Sequence, residues 1–181
     1  MKKRILDIGA GANPDIDATD AIDLANEREI ARERNDFFDV QYEQKRQYCK
    51  RDGYCQEFPL DKPHLKNKIK FLYNIDYNKD KLPYPNNSID YIISNNSLQA
   101  YSNPHTLKEI HRILKPGGYI DIGWTAGWTS TQRTKNHIKE LQYGLSKNGF
   151  KNIKFFKDIK SNTLYQYQFT NSLLDVIRAY K

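Results

Sequence analysis

At 181 residues and 21.3 kDa, the chain has the length of one domain able to bury an open sheet with helices on its faces, and it is taken as a single domain over 1–181. A composition 38% hydrophobic and 28% charged, with a mean hydropathy of −0.85, and the lack of any apolar run long enough for a bilayer exclude a membrane-spanning protein. The net charge of +7 fits an acidic partner such as RNA, but the basic residues are spread along the chain instead of forming a tract, so nucleic acid is not the favoured partner.

The basic start, Met1 to Arg4, runs straight into Ile5, leaving no room for a signal peptide and making the cytosol the default location. Residues Arg4 to Ile8 read as a buried strand stopping at Gly9-Ala10-Gly11, and Asp17 to Leu24 as a second short strand ending in acid. From Asn26 to Lys68 the chain carries first a helical pattern and then Gly53, Pro59 and Pro63 without a clean period, the signature of an inserted loop or lid. Its two cysteines, Cys49 and Cys55, are too few for a disulfide scaffold, and no histidine pair has the spacing of a zinc site, so no metal is expected. Ile69 to Ile75 reads as strand three and Ser88 to Ser94 as a strand covered on both faces. Pro104 opens a helix through Leu114, Lys115-Pro116-Gly117-Gly118 ends it, and Tyr119 to Trp124 is strand five. A helix follows from about Thr134 to Lys147, then strands at Ile153–Phe156 and Leu164–Phe169 and a short helix at Leu173–Ala179. The alternation predicts an α/β fold: a Rossmann-like, doubly wound, mostly parallel sheet with an antiparallel edge, in three αβα layers.

A strand entering Gly9-Ala10-Gly11 brings backbone close to a ligand, a signal that is weak alone. A dinucleotide loop wants a third glycine where Pro14 stands and an acid further downstream than Asp23, so a nicotinamide cofactor is disfavoured. No Gly-Lys-Ser/Thr follows to cradle a triphosphate. A ligand such as S-adenosylmethionine has no phosphate and offers a ribose diol, an adenine amino group and an ammonium, which call for acids and close backbone. Asp23 is placed to accept from both ribose hydroxyls, against the alternative of a surface or helix-capping carboxylate for the segment after Leu24. Asp76 can accept from the adenine amino group, against the alternative of capping a turn with Asn78. Asp7, inside an apolar strand, has to be held by backbone amides or to face the ligand's ammonium.

The segments ILDIGAGANP, DAIDL, DKLPYPNNSIDYIISNNSLQ and EIHRILKPGGYIDIG, in this order, resemble the class I S-adenosylmethionine-dependent methyltransferases over about Lys3 to Gly123. The tail NGFKNIKFF is similar to the family's Gly-Phe turn into strand six. The resemblance implies that Gly9 and Gly11, with Ala10 between them, line the methionine end, Asp23 and Leu24 the ribose side, Asp76 with Ile75 the adenine, and that Asn95 places a carbonyl near the methionine ammonium. About a dozen residues separate Gly11 from Asp23, so the usual first helix is missing or a single turn, as in a compact subgroup of the family. Where that subgroup commonly has Leu-Glu-His, this chain has Leu98-Gln99-Ala100, so no acid–base role is inherited from that histidine.

Methyl transfer from a sulfonium is an in-line displacement that needs positioning more than a base. If a base is used, His105 and Tyr101 are the candidates, His111 being the more structural one beside Arg112. Trp124 and Trp128 flank the turn after strand five, where they either stack on a planar substrate or pack on the neighbouring helix. The expected activity is methyl transfer to an O or N nucleophile of a small molecule or peptide. The competing readings are an RNA methyltransferase and a non-catalytic, cofactor-binding accessory protein.

Overall fold

A computed structural model of the chain describes residues 3–10, 15, 17–25, 69–95, 97–98, 103–125, 132–160 and 173–181. Seven strands form one sheet: β1 (Ile5–Ile8), β2 (Asp20–Ile22), β3 (Lys70–Leu72), β4 (Ile89–Asn95), β5 (Leu114–Thr125), β6 (Lys151–Lys160) and β7 (Leu173–Tyr180). Their spatial order is β3-β2-β1-β4-β5-β7-β6. The first five run parallel, while β7, second from the edge formed by β6, lies antiparallel to both β5 and β6 and makes that end of the sheet antiparallel, as expected. With α1 (Pro104–Ile113) and α2 (Gln132–Lys147) this is the Rossmann-like α/β architecture. The inserted loop at 26–68 and the strand expected at Leu164–Phe169 lie outside the described residues.

The two faces of the sheet differ in chemistry. Leu6, Ile8, Ile22, Ile92, Ile120, Ile122, Ile177 and Ala179 meet α1 and α2 in one core with Leu107, Ile110, Ile113, Leu141 and Leu145. Register partners project from the same face, so Ile5–Tyr91–Tyr119–Tyr180 and Asp7–Ile93–Asp121–Arg178 stand on the other. Helix α1 starts where Asn103 accepts the Thr106 N–H at 2.9 Å and Pro104 fills its first turn. It approaches α2 closely because Gly144 has no side chain: a Cβ there would lie 3.1 Å from Leu107 Cδ1.

The Leu82-Pro83-Tyr84-Pro85 turn before β4 is clamped by α1. Arg112 uses all five of its donors, reaching the Leu82 and Tyr84 carbonyls, Asn86 Oδ1 and both oxygens of Glu109. Glu109 in turn accepts the Leu82 N–H at 2.9 Å. Arg112→Met leaves two carbonyls and a largely buried carboxylate without their donor, and should cost about 3 kcal/mol of unfolding free energy in a denaturant titration. A loss under about 1 kcal/mol would show that this clamp is not what fixes the turn.

Two elements differ from expectation. Lys115-Pro116-Gly117-Gly118 does not precede β5 but belongs to it: Leu114 pairs with Ile89, and the irregularity before Tyr119 meets Tyr91 absorbs the extra residues. Gly117, at φ +76°, provides the required left-handed backbone. Leu173–Tyr180 is a strand instead of a short helix. It is inserted between β5 and β6 and buried on both faces, so it shows a nearly continuous apolar run that mimics helical spacing.

Candidate active site

From β1 the chain winds one way through β2 to β3, and β4 and β5 lie on the opposite side. The crevice at the carboxyl ends of β1 and β4 is therefore the topological switch point, the usual ligand position in such sheets.

Gly9 leaves β1 at φ +68° with its N–H on the Ile22 carbonyl at 2.9 Å. A Cβ there would fall 2.0 Å from Ser97 Oγ and 2.5 Å from Ser97 Cβ. The glycine is thus required by the protein's own packing, in addition to the ligand approach expected of it. Ser97 Oγ shares a 2.6 Å hydrogen bond with the buried Tyr77 hydroxyl, and Ser94 Oγ donates to the Ile8 carbonyl while accepting the Leu98 N–H. These three polar side chains lock the β4 exit against the end of β1. They were not singled out from the sequence, although serines closing an Ile-Ile strand were the available signal.

Asp7 points from β1 into the interior and is 3% exposed. Burial pushes its carboxyl up to about 7, with further repulsion from Asp15 and Asp23, against the stabilising Asp15 N–H that it accepts at 2.7 Å. Asp15, also buried, is pushed up to about 6 for the same main reason. The backbone-amide partner expected for Asp7 is thus present.

Asp23 links the ends of β2 and β3: its N–H reaches the Leu72 carbonyl and its own carbonyl receives the Ile75 N–H at 2.9 Å. Its Oδ1 accepts the Ala25 N–H, a capping bond of the kind weighed as the alternative role. Leu24 beside it is 59% exposed, an apolar side chain held at the rim. Ile75 is half-buried. Asp76 makes the turn weighed as its alternative, with Oδ1 on the Asn78 N–H and Oδ2 on Lys79 at 3.0 Å, and the Lys79 ammonium holds its carboxyl below the usual range. Asn95 ends β4 opposite Gly123, and a Cβ at Gly123 would lie 2.7 Å from Asn95 Oδ1, so the missing side chain makes room for the amide.

Not every candidate converges here. His105 is exposed, with Nε2 3.1 Å from the Asp80 carbonyl. His111 packs edge-on against Phe150 and is lowered by burial, a structural role. Trp124 is 4% exposed and stacked over Phe155 of β6 in the core, a packing contact with a strand where packing on a helix was the alternative weighed. Gly11, Pro14, Cys49, Cys55, Gln99, Ala100, Tyr101 and Trp128 lie outside the described residues. Among the described residues, Asp7, Gly9, Ala10, Asp23, Leu24, Ile75, Asp76 and Asn95 stand at or beside the carboxyl ends of β1 to β4.

A family profile described as "Methyltransferase domain" matches residues 21–122. Over 112 residues the chain is 30% identical to malonyl-[acyl-carrier protein] O-methyltransferase of Marinomonas sp. (strain MWYL1), a match covering 60% of this chain and 35% of that protein. It thus spans little more than a third of that relative's length. Among solved structures, an S-adenosylmethionine-dependent methyltransferase of Thermotoga maritima, described as a possible histamine N-methyltransferase, superposes with a TM-score of 0.55 at 18% identity over 100% of this chain and 83% of its own. A putative S-adenosylmethionine-dependent methyltransferase of Methanococcus maripaludis gives 0.56 at 16% identity over 97% and 76%. The sheet order with its antiparallel β7, the glycine turn at the switch point and the profile match agree, and the chain belongs to the class I S-adenosylmethionine-dependent methyltransferases.

Proposed function

We propose that this methyltransferase acts on an O or N nucleophile of a small molecule or peptide, in the cytosol, with its cofactor at the carboxyl ends of β1 to β4. The observation that carries the cofactor placement is the anionic switch point: buried Asp7 behind the Gly9 turn, with Asp23 at the end of β2. Two carboxylates and no lysine or arginine among these residues fit a cofactor with an ammonium and a sulfonium, and would repel a pyrophosphate. Gly9 to Gly11 would back the methionine portion, Asp23 the ribose diol, and Asn95 the amino-acid head. Leu24 and Ile75 would flank the adenine, whose amino group has to compete with Lys79 for Asp76, an exposed pair of small energetic worth. When bound, the cofactor supplies the activated methyl group. The chain's part is to orient the acceptor and exclude water, which suits a site where no described histidine faces the crevice.

The Marinomonas relative is named as a malonyl-[acyl-carrier protein] O-methyltransferase, which supports an oxygen acceptor. The test is to incubate the protein with methyl-labelled S-adenosylmethionine and a cell extract, then separate small molecules, protein and RNA. Label in the small-molecule or peptide fraction is expected. Label in RNA would replace this reading by RNA methylation, and cofactor binding without transfer would favour an accessory protein.

A further inference from the structure

Tyr77 follows Asp76 in the turn after β3, yet its side chain ends under the Gly9 turn at the exit of β1. Its Oη lies 2.6 Å from Ser97 Oγ, and a Cβ at Gly9 would stand 3.4 Å from that Oη and 2.0 Å from the Ser97 Oγ. Ser97 thus takes the place that a side chain at Gly9 would fill, and the phenol stands directly behind it. Tyr77 and Ser97 are 7% and 8% exposed. Out of contact with water, a bond between two hydroxyls is electrostatically stronger, and losing one partner is more costly than at the surface.

The two turns that Tyr77 joins differ in what else holds them. The turn at 75–80 has anchors of its own: the Ile75 N–H donates to the Asp23 carbonyl at 2.9 Å and the Asp80 N–H to the Asp76 carbonyl at 2.7 Å. Thr106 Oγ1 donates to the Tyr77 carbonyl at 2.9 Å, and Asn103 Nδ2 to the Asn78 carbonyl at 3.1 Å. Asn103 and Thr106 belong to the start of α1, so this turn stays fixed to β2 and to the helix whatever the phenol does. The Gly9 turn is tied toward β2 by its N–H on the Ile22 carbonyl. Toward β4 it rests on Ser97, and Ser97 is braced by the phenol.

We propose that Tyr77 is a positioning residue of the cofactor site: acting through Ser97, its phenol sets the Gly9 turn against the turn at 75–80, so that one S-adenosyl ligand meets both at once. This role rests on the cofactor placement proposed above, with the methionine portion at Gly9 and the adenine at Ile75 and Asp76. Walls held in place before binding spare the ligand the cost of ordering them, and that saving shows as affinity. Only a ligand that reaches both walls gains from the brace. A ligand confined to the turn at 75–80 and the end of β2 meets a wall that α1 already holds.

The test is calorimetric titration of two ligands into wild type, Tyr77→Phe and Ser97→Ala: S-adenosylhomocysteine, and 5′-methylthioadenosine, which has the same adenosine without the amino-acid chain. In both variants S-adenosylhomocysteine should bind about fivefold or more weakly, roughly the worth of one net hydrogen bond, while methylthioadenosine stays within about twofold. The double variant should lose no more than the larger single loss, because both substitutions remove the same bond. Tyr84→Phe removes a buried hydroxyl that has no hydrogen-bond partner, beside Arg4 at the other end of the sheet, and should leave both affinities unchanged. Equal losses for the two ligands in Tyr77→Phe, no loss for either, or additive losses in the double variant overturn the role given to Tyr77. So does loss of the wild-type near-ultraviolet circular dichroism in both single variants, which would make the bond a folding contact. Absence of binding of either ligand to the folded wild type would contradict the cofactor placement itself, and this role with it.

Discussion

Gly9→Ala is expected to unfold the protein or to lower its stability by at least about 4 kcal/mol in a denaturant titration. The added methyl group must adopt φ +68° and would stand 2.0 Å from Ser97 Oγ and 2.5 Å from Ser97 Cβ. Neither atom can retreat cheaply, because Ser97 is buried and bonded to Tyr77. The second half of the test is a rescue. Ser97→Gly in the Gly9→Ala background removes both clashing atoms, and should recover more stability than Ser97→Gly alone costs, about 1 kcal/mol for the lost Tyr77 bond. Losses that simply add would mean that the two side chains do not compete for the same space.

The second large effect is expected at Asp7. Asp7→Asn keeps an oxygen to accept the Asp15 N–H, while removing a carboxyl that burial raises from the usual 3.8 to about 7. A raised carboxyl favours the fold while neutral: its contribution is complete below its unfolded value and is lost as pH climbs to about 7. The variant should therefore match wild type near pH 4 and exceed it at pH 8 by on the order of 3 kcal/mol. Asp15, raised to about 6, is present in both proteins, so the difference between the two curves isolates Asp7. Cofactor affinity should move the other way. A cation at the switch point favours the ionised carboxyl, so wild-type affinity should rise with pH through about 7, and Asp7→Asn should bind about tenfold more weakly at pH 8. Parallel stability curves for the two proteins would show that Asp7 is ionised and solvated in the fold.

What the sequence made legible follows from how each element is buried. The strands covered on both faces, Ile5–Ile8 and Ile89–Asn95, announce themselves as short β-branched runs, and α1 carries its own start in Asn103-Pro104. The same rule misled at β7, where burial on two faces erased the alternation that distinguishes strand from helix. Proline and glycines at 116–118 punctuate a chain, but a bulge inside a strand and a break before one use the same residues. In the site, acids at strand ends were readable by type and position. Their partners were not, because the Ser97–Tyr77 bond and the Asp7–Asp15 contact depend on which strands lie side by side. The glycine of the loop was singled out for its approach to a ligand, and the fold requires it as well: a Cβ there would face Ser97 Oγ at 2.0 Å, far inside any ordinary contact.

Cofactor binding is tested by isothermal titration calorimetry of S-adenosylmethionine and S-adenosylhomocysteine into the wild-type chain and into Asp23→Ala. Saturable one-site binding of both ligands to wild type is predicted, weakened at least about tenfold in Asp23→Ala by loss of the diol acceptor. Its thermal transition, read alongside, tells loss of the diol acceptor apart from loss of the fold, since Asp23→Ala also frees the Ala25 N–H at the end of β2. No heat of binding from either ligand with the folded wild-type protein would contradict the account, and unchanged affinity in Asp23→Ala would move the cofactor away from the end of β2.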